Sequence, residues 1–278
     1  MRPFGMSLRA SAAFVAIVVS LAACASTRPS SAALQSAETG ASCPVADWSP
    51  APPIRADSLS DYQRSVDVRQ RNDWANFARY RDANAALGAP KPGETRVVFM
   101  GNSITDAWAR SFPTMFPGKP YVGRGISGQT TPQMLVRFRQ DVIALQPKVV
   151  VILAGINDIA GNSGPATQAM IADNLMSMTE IAKANGIRVV LSSVLPAYDF
   201  PWRRGIGPAP KVVALNAWIR CYAARAGAVY LDYHGRMVDA RGGLSAEMAA
   251  DGVHPTEAGY RIMAPLAEAA IQEALRRP

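Results

Sequence analysis

Residues 148–158 read Lys-Val-Val-Val-Ile-Leu-Ala-Gly-Ile-Asn-Asp. An apolar, β-branched run without polar alternation is the mark of a strand buried on both faces, and the polar residues Asn157 and Asp158 follow it directly. Working outward, Arg96 to Met100, Ile187 to Leu191 and Ala228 to Leu231 carry shorter runs of the same kind. Between them, helical patterns span Thr131 to Leu145, Thr167 to Ala184, Pro210 to Ala226 and Thr256 to Leu275. Thr131-Pro132 has the form of an N-cap followed by proline at the first helical position, and Thr256 is placed to cap the last helix. Strand and helix in alternation predict an α/β fold whose parallel sheet is covered on both faces. Ligands of such sheets sit beyond the carboxyl ends of the strands, so the residues just after each strand are where chemistry is expected.

The chain has 278 residues, of which 49% are hydrophobic and 18% charged, with a mean hydropathy of +0.03, enough apolar content to exclude wholesale disorder. Arg2 and Arg9 precede an apolar stretch from Ala12 to Ala23, so residues 1–23 read as a signal peptide, too short for a stable membrane-spanning helix. Leu21-Ala22-Ala23-Cys24 resembles a bacterial lipobox, which implies acylation of Cys24 and a lipid-anchored protein of the cell envelope. Cleavage after Ala23-Cys24-Ala25 is the rival, giving a secreted soluble form. Residues 24–56, rich in Ser, Ala, Pro and Thr, are expected to form a flexible tether. Residues 57–90 are expected to form a helical extension, with Val66, Trp74, Phe77 and Tyr80 at helical spacing, and residues 91–278 the main domain.

The formal charge is +8, and losing Arg2 and Arg9 with the signal lowers it by two. That balance suits an anionic envelope, and no Lys/Arg-rich run points to nucleic acid as a partner. Beyond Cys24 the chain has Cys43 and Cys221, whose pairing in an oxidising compartment spacing alone leaves open.

Only two histidines exist, His234 and His254. His254 lies in Asp251-Gly252-Val253-His254-Pro255, where a carboxylate three residues earlier can reach Nδ1 and fix the ring's tautomer. The remaining Cys and His residues form no ligand-spaced cluster, so no metal is expected. The first strand runs into Gly101-Asn102-Ser103-Ile104-Thr105, which makes Ser103 the candidate nucleophile, its own N–H near a helix N-terminus. The same tripeptide at Gly161-Asn162-Ser163 reads as a simple turn. Gly123-Arg124-Gly125-Ile126-Ser127-Gly128 matches the dinucleotide fingerprint, but the strand before it is short and poorly apolar and no acid follows at the required distance. No nucleotide or other cofactor is therefore expected, and the glycine-rich turn can instead offer a backbone N–H to an oxyanion, with Asn157 supplying a side-chain amide.

Together and in this order, these blocks resemble the SGNH (GDSL-type) hydrolase family, especially its acetylhydrolase-like and lysophospholipase-like esterases, from Arg96 to the C-terminus. The resemblance implies Ser103 as nucleophile, Ser103, Gly128 and Asn157 as oxyanion hole, and Asp251 and His254 as acid and base. It implies a flavodoxin-like three-layer α/β/α sandwich with a shallow site. Asn102 departs from the family, which more often has Asp there. The α/β-hydrolase elbow Gly-x-Ser-x-Gly is absent. The expected activity is hydrolysis of carboxylic esters through an acyl-enzyme, on short acyl (O-acetyl) esters, with carbohydrate as a candidate carrier. Lysophospholipase or thioesterase action on longer chains is the alternative, and a silent binding lipoprotein a second. The segment Leu195 to Gly205, with Tyr198, Phe200 and Trp202, is expected to overhang the site; Trp108 suits either a site wall or the core.

Overall fold

The computed structural model describes residues 42–53 and 59–277. Each of the four apolar runs becomes a strand of nearly its own length, and the short, poorly apolar stretch before the glycine-rich turn adds a fifth: in chain order β1 (Val97–Gly101), β2 (Tyr121–Gly125), β3 (Val149–Leu153), β4 (Arg188–Ser192) and β5 (Val229–Leu231), with β2 the added strand. They form one parallel sheet in the order β2-β1-β3-β4-β5, with Val98 beside Val150 and Val150 beside Val189 in register. All five residues of β1 and of β3 are buried, because helices cover both faces.

One face is packed by α5 (Thr131–Asp141), α7 (Gln168–Ala184) and α8 (Ala209–Ala226), whose Phe138, Leu175 and Leu215 meet Val98, Val150 and Ile152. The other is packed by α3 (Ser103–Ala109) and α10 (Glu257–Arg276), where Trp108, Met263 and Ile271 meet Val97, Phe99 and Val151. Burial of each such side chain is worth about 1.5–3 kcal/mol. The result is the three-layer α/β/α sandwich. Shorter helices complete the chain: α4 (Phe112–Met115), α6 (Ile156–Ala160) and α9 (His234–Met237).

β2 differs from its neighbours, being an edge strand with glycine at 123 and 125. A Cβ at Gly123 would stand 2.3 Å from that of Ala109, and one at Gly125 would stand 2.2 Å from the Asp106 nitrogen. The first two glycines of the apparent fingerprint thus let α3 lie tightly on the strand. The cap expected at Thr131 moves back by one residue. Thr130 is the N-cap, its N–H donating to Gln133 Oε1 at 3.1 Å, because the Thr131 N–H and hydroxyl are drawn to the carboxylate of Asp158.

The expected helical extension is broken rather than continuous. α1 (Asp61–Asn72) ends at Asp73, whose carboxylate accepts from the N–H groups of Phe77 and Ala78 at 2.8 and 3.0 Å and so opens a 3-10 turn, Phe77–Tyr80. α2 (Arg81–Leu87) follows and stops at Gly88, φ +62°. Tyr80 donates to the Gly125 carbonyl, and Asn84 Nδ2 donates to Asp141 Oδ1 at 2.7 Å.

The signal peptide, Cys24 and the tether up to residue 41, with residues 54–56, lie outside the described residues. The stretch from Cys43 to Pro53, expected to be tether, is laid on the domain. Cys43 is bonded to Cys221 of α8, with Cα atoms 5.7 Å apart, the Ala46 N–H donates to Gln168 Oε1 at 3.0 Å, and the Trp48 indole N–H to the Ala166 carbonyl at 3.3 Å. Among the described residues no helix is long and apolar enough to cross a membrane.

Candidate active site

Strand β1 ends at Gly101, where a Cβ would meet the Thr105 Oγ1 at 2.2 Å, so the chain turns at once into α3. Asn102 caps that helix, its Oδ1 accepting from the Ile104 N–H at 3.1 Å, while its buried Nδ2 has no partner among the described residues. Ser103 is therefore the first residue of α3, half-buried at the carboxyl edge of the sheet.

From the other end of the chain, the loop before α10 brings His254 to it. Ser103 Oγ lies 2.9 Å from His254 Nε2, and His254 Nδ1 lies 2.6 Å from Asp251 Oδ2. Asp251 is fixed in turn by its Oδ1, which accepts from the N–H groups of Val253 at 2.9 Å and His254 at 2.8 Å. Burial works to raise the Asp251 carboxyl, but the ring N–H and these two backbone donors outweigh it and hold it below the ordinary value of 3.8. With Nδ1–H donating to a carboxylate, Nε2 presents its lone pair to the serine hydroxyl. Thr256 steadies the loop, its hydroxyl accepting from the Gly259 N–H at 3.3 Å and donating to the Glu247 carbonyl at 2.6 Å.

The glycine-rich turn follows β2 into the same region. Gly128 has φ +80°, which favours glycine, and a Cβ there would meet nothing within 4 Å, so its backbone conformation rather than crowding is what calls for glycine. Asn157 follows β3 in the buried helix α6, its Nδ2 donating to the Gln129 carbonyl at 2.9 Å and its Oδ1 accepting from Asn162 Nδ2 at 3.0 Å. Asp158 next to it is fully buried, and burial pushes its carboxyl up to about 6 against the donors of Thr131.

Of the three aromatics in the Leu195 to Gly205 segment, one reaches the site. The Trp202 ring lies 5.9 Å from the His254 ring and stacks on Phe200 at 5.1 Å, and its Nε1 donates to Asn162 Oδ1 at 3.3 Å. Phe200 is core, and Tyr198 points outward beneath the Arg241 guanidinium. Trp108 is also core, stacked on Tyr260 at 5.4 Å. His234 is not brought to Ser103. It lines a separate groove of about 240 Å³ with Arg220 and Asp232, and burial pushes its imidazole down.

Two residues behind the site were missed in the sequence. Arg137, wholly buried and paired with Asp141 at 2.9 Å, donates to Gln129 Oε1 at 2.6 Å and to the Gly101 carbonyl at 3.0 Å. It thereby ties the end of β1 to the turn after β2. Asn162, read as part of a simple turn, lies between Asn157 and Trp202. Its distance of five residues from Asn157 was the one available clue. Among the described residues no cluster of three or more His, Cys, Asp or Glu could hold a metal.

The family model described as GDSL-like Lipase/Acylhydrolase matches residues 98–262, a range that contains Ser103, Gly128, Asn157, Asp251 and His254. The chain belongs to the GDSL-like lipase/acylhydrolase family. A GDSL-like lipase of Bacteroides thetaiotaomicron, known as a crystal structure, is 50% identical to this acylhydrolase; the match covers 72% of this chain and 98% of that one, with a TM-score of 0.69. Esterase TesA of Pseudomonas aeruginosa is 28% identical over 167 residues, 59% of this chain and 77% of TesA. The lipoprotein YqeF of Bacillus subtilis, itself uncharacterised, is 32% identical over 78 residues, 27% of this chain and 32% of YqeF, so this acylhydrolase spans about a third of that relative. The chain is a carboxylic ester hydrolase of GDSL type.

Proposed function

We propose that this hydrolase is a serine esterase in which Ser103, His254 and Asp251 form the catalytic triad. The observation that carries the reading is the unbroken series from Ser103 Oγ through the His254 ring to Asp251, at 2.9 and 2.6 Å. His254 takes the proton of Ser103 as its oxygen attacks the ester carbonyl. The negative oxygen of the tetrahedral intermediate is held by the Ser103 N–H, the Gly128 N–H and the Asn157 amide. His254 then gives its proton to the departing alcohol. A water molecule, deprotonated by the same ring, hydrolyses the acyl-enzyme and frees Ser103.

The preferred substrates are short acyl esters, O-acetyl groups on carbohydrate among them. Trp202 supports this, because a rigid indole beside the imidazole limits the space for an acyl chain and offers a stacking face to a sugar ring. The lipobox at Cys24 supports an envelope anchor, in keeping with the lipoprotein relative YqeF.

The test is a series of chromogenic esters from acetyl to palmitoyl with the parent and Ser103→Ala. Hydrolysis confined to the shortest acyl groups and lost in the variant is the expected result. A preference for long chains would move the substrate to lipids or thioesters, and hydrolysis unchanged in Ser103→Ala would remove the serine from the mechanism.

A further inference from the structure

An asparagine amide is nearly symmetrical in shape, so something must decide which end of Asn157 faces the oxyanion. Only its NH₂ end can donate there. With the amide turned over, a carbonyl oxygen would face the negative charge. Asn157 is buried, and the groups that choose its orientation form a single directional chain. At one end stands the indole N–H of Trp202, which can only donate, and it does so to Asn162 Oδ1 at 3.3 Å. Asn162 must therefore present its Nδ2 onward, and this donates to Asn157 Oδ1 at 3.0 Å. Asn157 must in turn present its own Nδ2, one hydrogen of which goes to the Gln129 carbonyl at 2.9 Å. That carbonyl can only accept, so both ends of the chain impose the same direction.

The backbone adds a second grip. Gly161, φ +71°, turns the chain at the end of α6 so that the Asn162 N–H donates to the Asn157 carbonyl at 3.0 Å. A Cβ at Gly161 would come within 2.5 Å of Arg203 Nη1, so the turn is packed against the residue after Trp202.

We infer that Asn162 is a positioning residue of the esterase site: it sets the orientation of the Asn157 amide and joins the Trp202 wall to the oxyanion hole. This rests on the serine-esterase reading above. Replacing Asn162 by alanine removes the donor that holds Asn157 Oδ1 and leaves the Gln129 carbonyl as the remaining hold on the amide, so its orientation loosens and oxyanion stabilisation falls while substrate binding does not. Asn162→Asp keeps the acceptor for Trp202 but has no N–H for Asn157, and its carboxylate would attract the very N–H that the oxyanion needs.

The experiment is a double-mutant cycle on ester hydrolysis by the detergent-solubilised full chain, using Asn162→Ala, Asn157→Ala and the pair, with Asn162→Asp and Ser103→Ala alongside. Expected are a fall in kcat of about 10- to 100-fold for Asn162→Ala and Asn162→Asp, with KM within about three-fold of the parent. In the Asn157→Ala background, the further loss on removing Asn162 is no more than about two-fold, because the residue acts through Asn157. Parental kcat in Asn162→Asp, or the same loss from Asn162→Ala in both backgrounds, overturns the inference while leaving the serine mechanism intact. Unchanged hydrolysis in Ser103→Ala overturns both. If Asn162→Ala unfolds, the near-isosteric Asn162→Asp carries the test.

Discussion

A serine hydroxyl attacks an ester only when a base takes its proton, so the residue scale turns on His254 and on what orients it. Asp251→Asn keeps the size of the side chain but puts an amide where Nδ1–H needs an acceptor, which favours the tautomer with Nε2 protonated. We predict a loss of about 10²- to 10⁴-fold in kcat, read from steady-state hydrolysis, with the fold retained. Asn157→Ala removes one of the proposed oxyanion donors and should cost about 10²- to 10³-fold in kcat with little change in KM. The same Asp251 leaves a mark on stability. Its carboxyl is held below the ordinary 3.8 in the folded chain, so its contribution is present above that value and is lost as pH falls through the lower folded one. The difference in Tm between the parent and Asp251→Asn should therefore shrink as pH is lowered from about 5 to about 2. A constant difference over that range would mean that the carboxylate is not held by its donors.

At the scale of elements, the site depends on how closely α3 lies on β2. A methyl at Gly125 would sit 2.2 Å from the Asp106 nitrogen and 2.6 Å from the Asn102 carbonyl oxygen, both backbone atoms that cannot move without moving α3. Gly125→Ala should destabilise by about 1–3 kcal/mol, measured by urea unfolding, and lower kcat because α3 carries Ser103 at its first residue. These elements differed in how plainly they could be read. Strands β1, β3 and β4 are legible as apolar runs because both faces are buried, whereas β2 is an edge strand whose glycines serve helix packing and erase the apolar signal. Asp251 and His254 could be paired on spacing alone, being one loop. Ser103 and His254, separated by 151 residues, meet only through the fold, and their pairing rested on position after a strand and on family resemblance. Asn162 and Arg137 were not legible, because Trp202 and the Gly101 carbonyl, which they bind, are brought to them by tertiary structure. The break at Asp73 was hidden for the opposite reason: apolar spacing continues across it, while one carboxylate capping the next turn decides the outcome.

For the whole molecule, the Cys43–Cys221 bond ties the chain before the helical extension to α8, closing a loop of 178 residues in sequence. Cross-links of such span stabilise chiefly by restricting the unfolded chain, so Cys43→Ser with Cys221→Ser should lower stability by about 2–5 kcal/mol. Neither cysteine takes part in the hydrogen bonds from Ser103 to Asp251, so kcat below the unfolding transition should stay within about two-fold of the parent. An unchanged Tm would mean that the bond restrains little. In the proposed active centre, Ser103 from the turn after β1, Gly128 and Asn157 from the turns after β2 and β3 and His254 from the loop before α10 converge at the carboxyl edge of the sheet. The most direct measurement of that convergence is to treat the full chain with a fluorophosphonate and locate the adduct by peptide mass spectrometry, with His254→Ala in parallel. A single adduct on Ser103, formed far more slowly in the variant, is predicted. A folded protein that stays unlabelled at Ser103, or that labels equally well without His254, would contradict a serine made nucleophilic by that histidine.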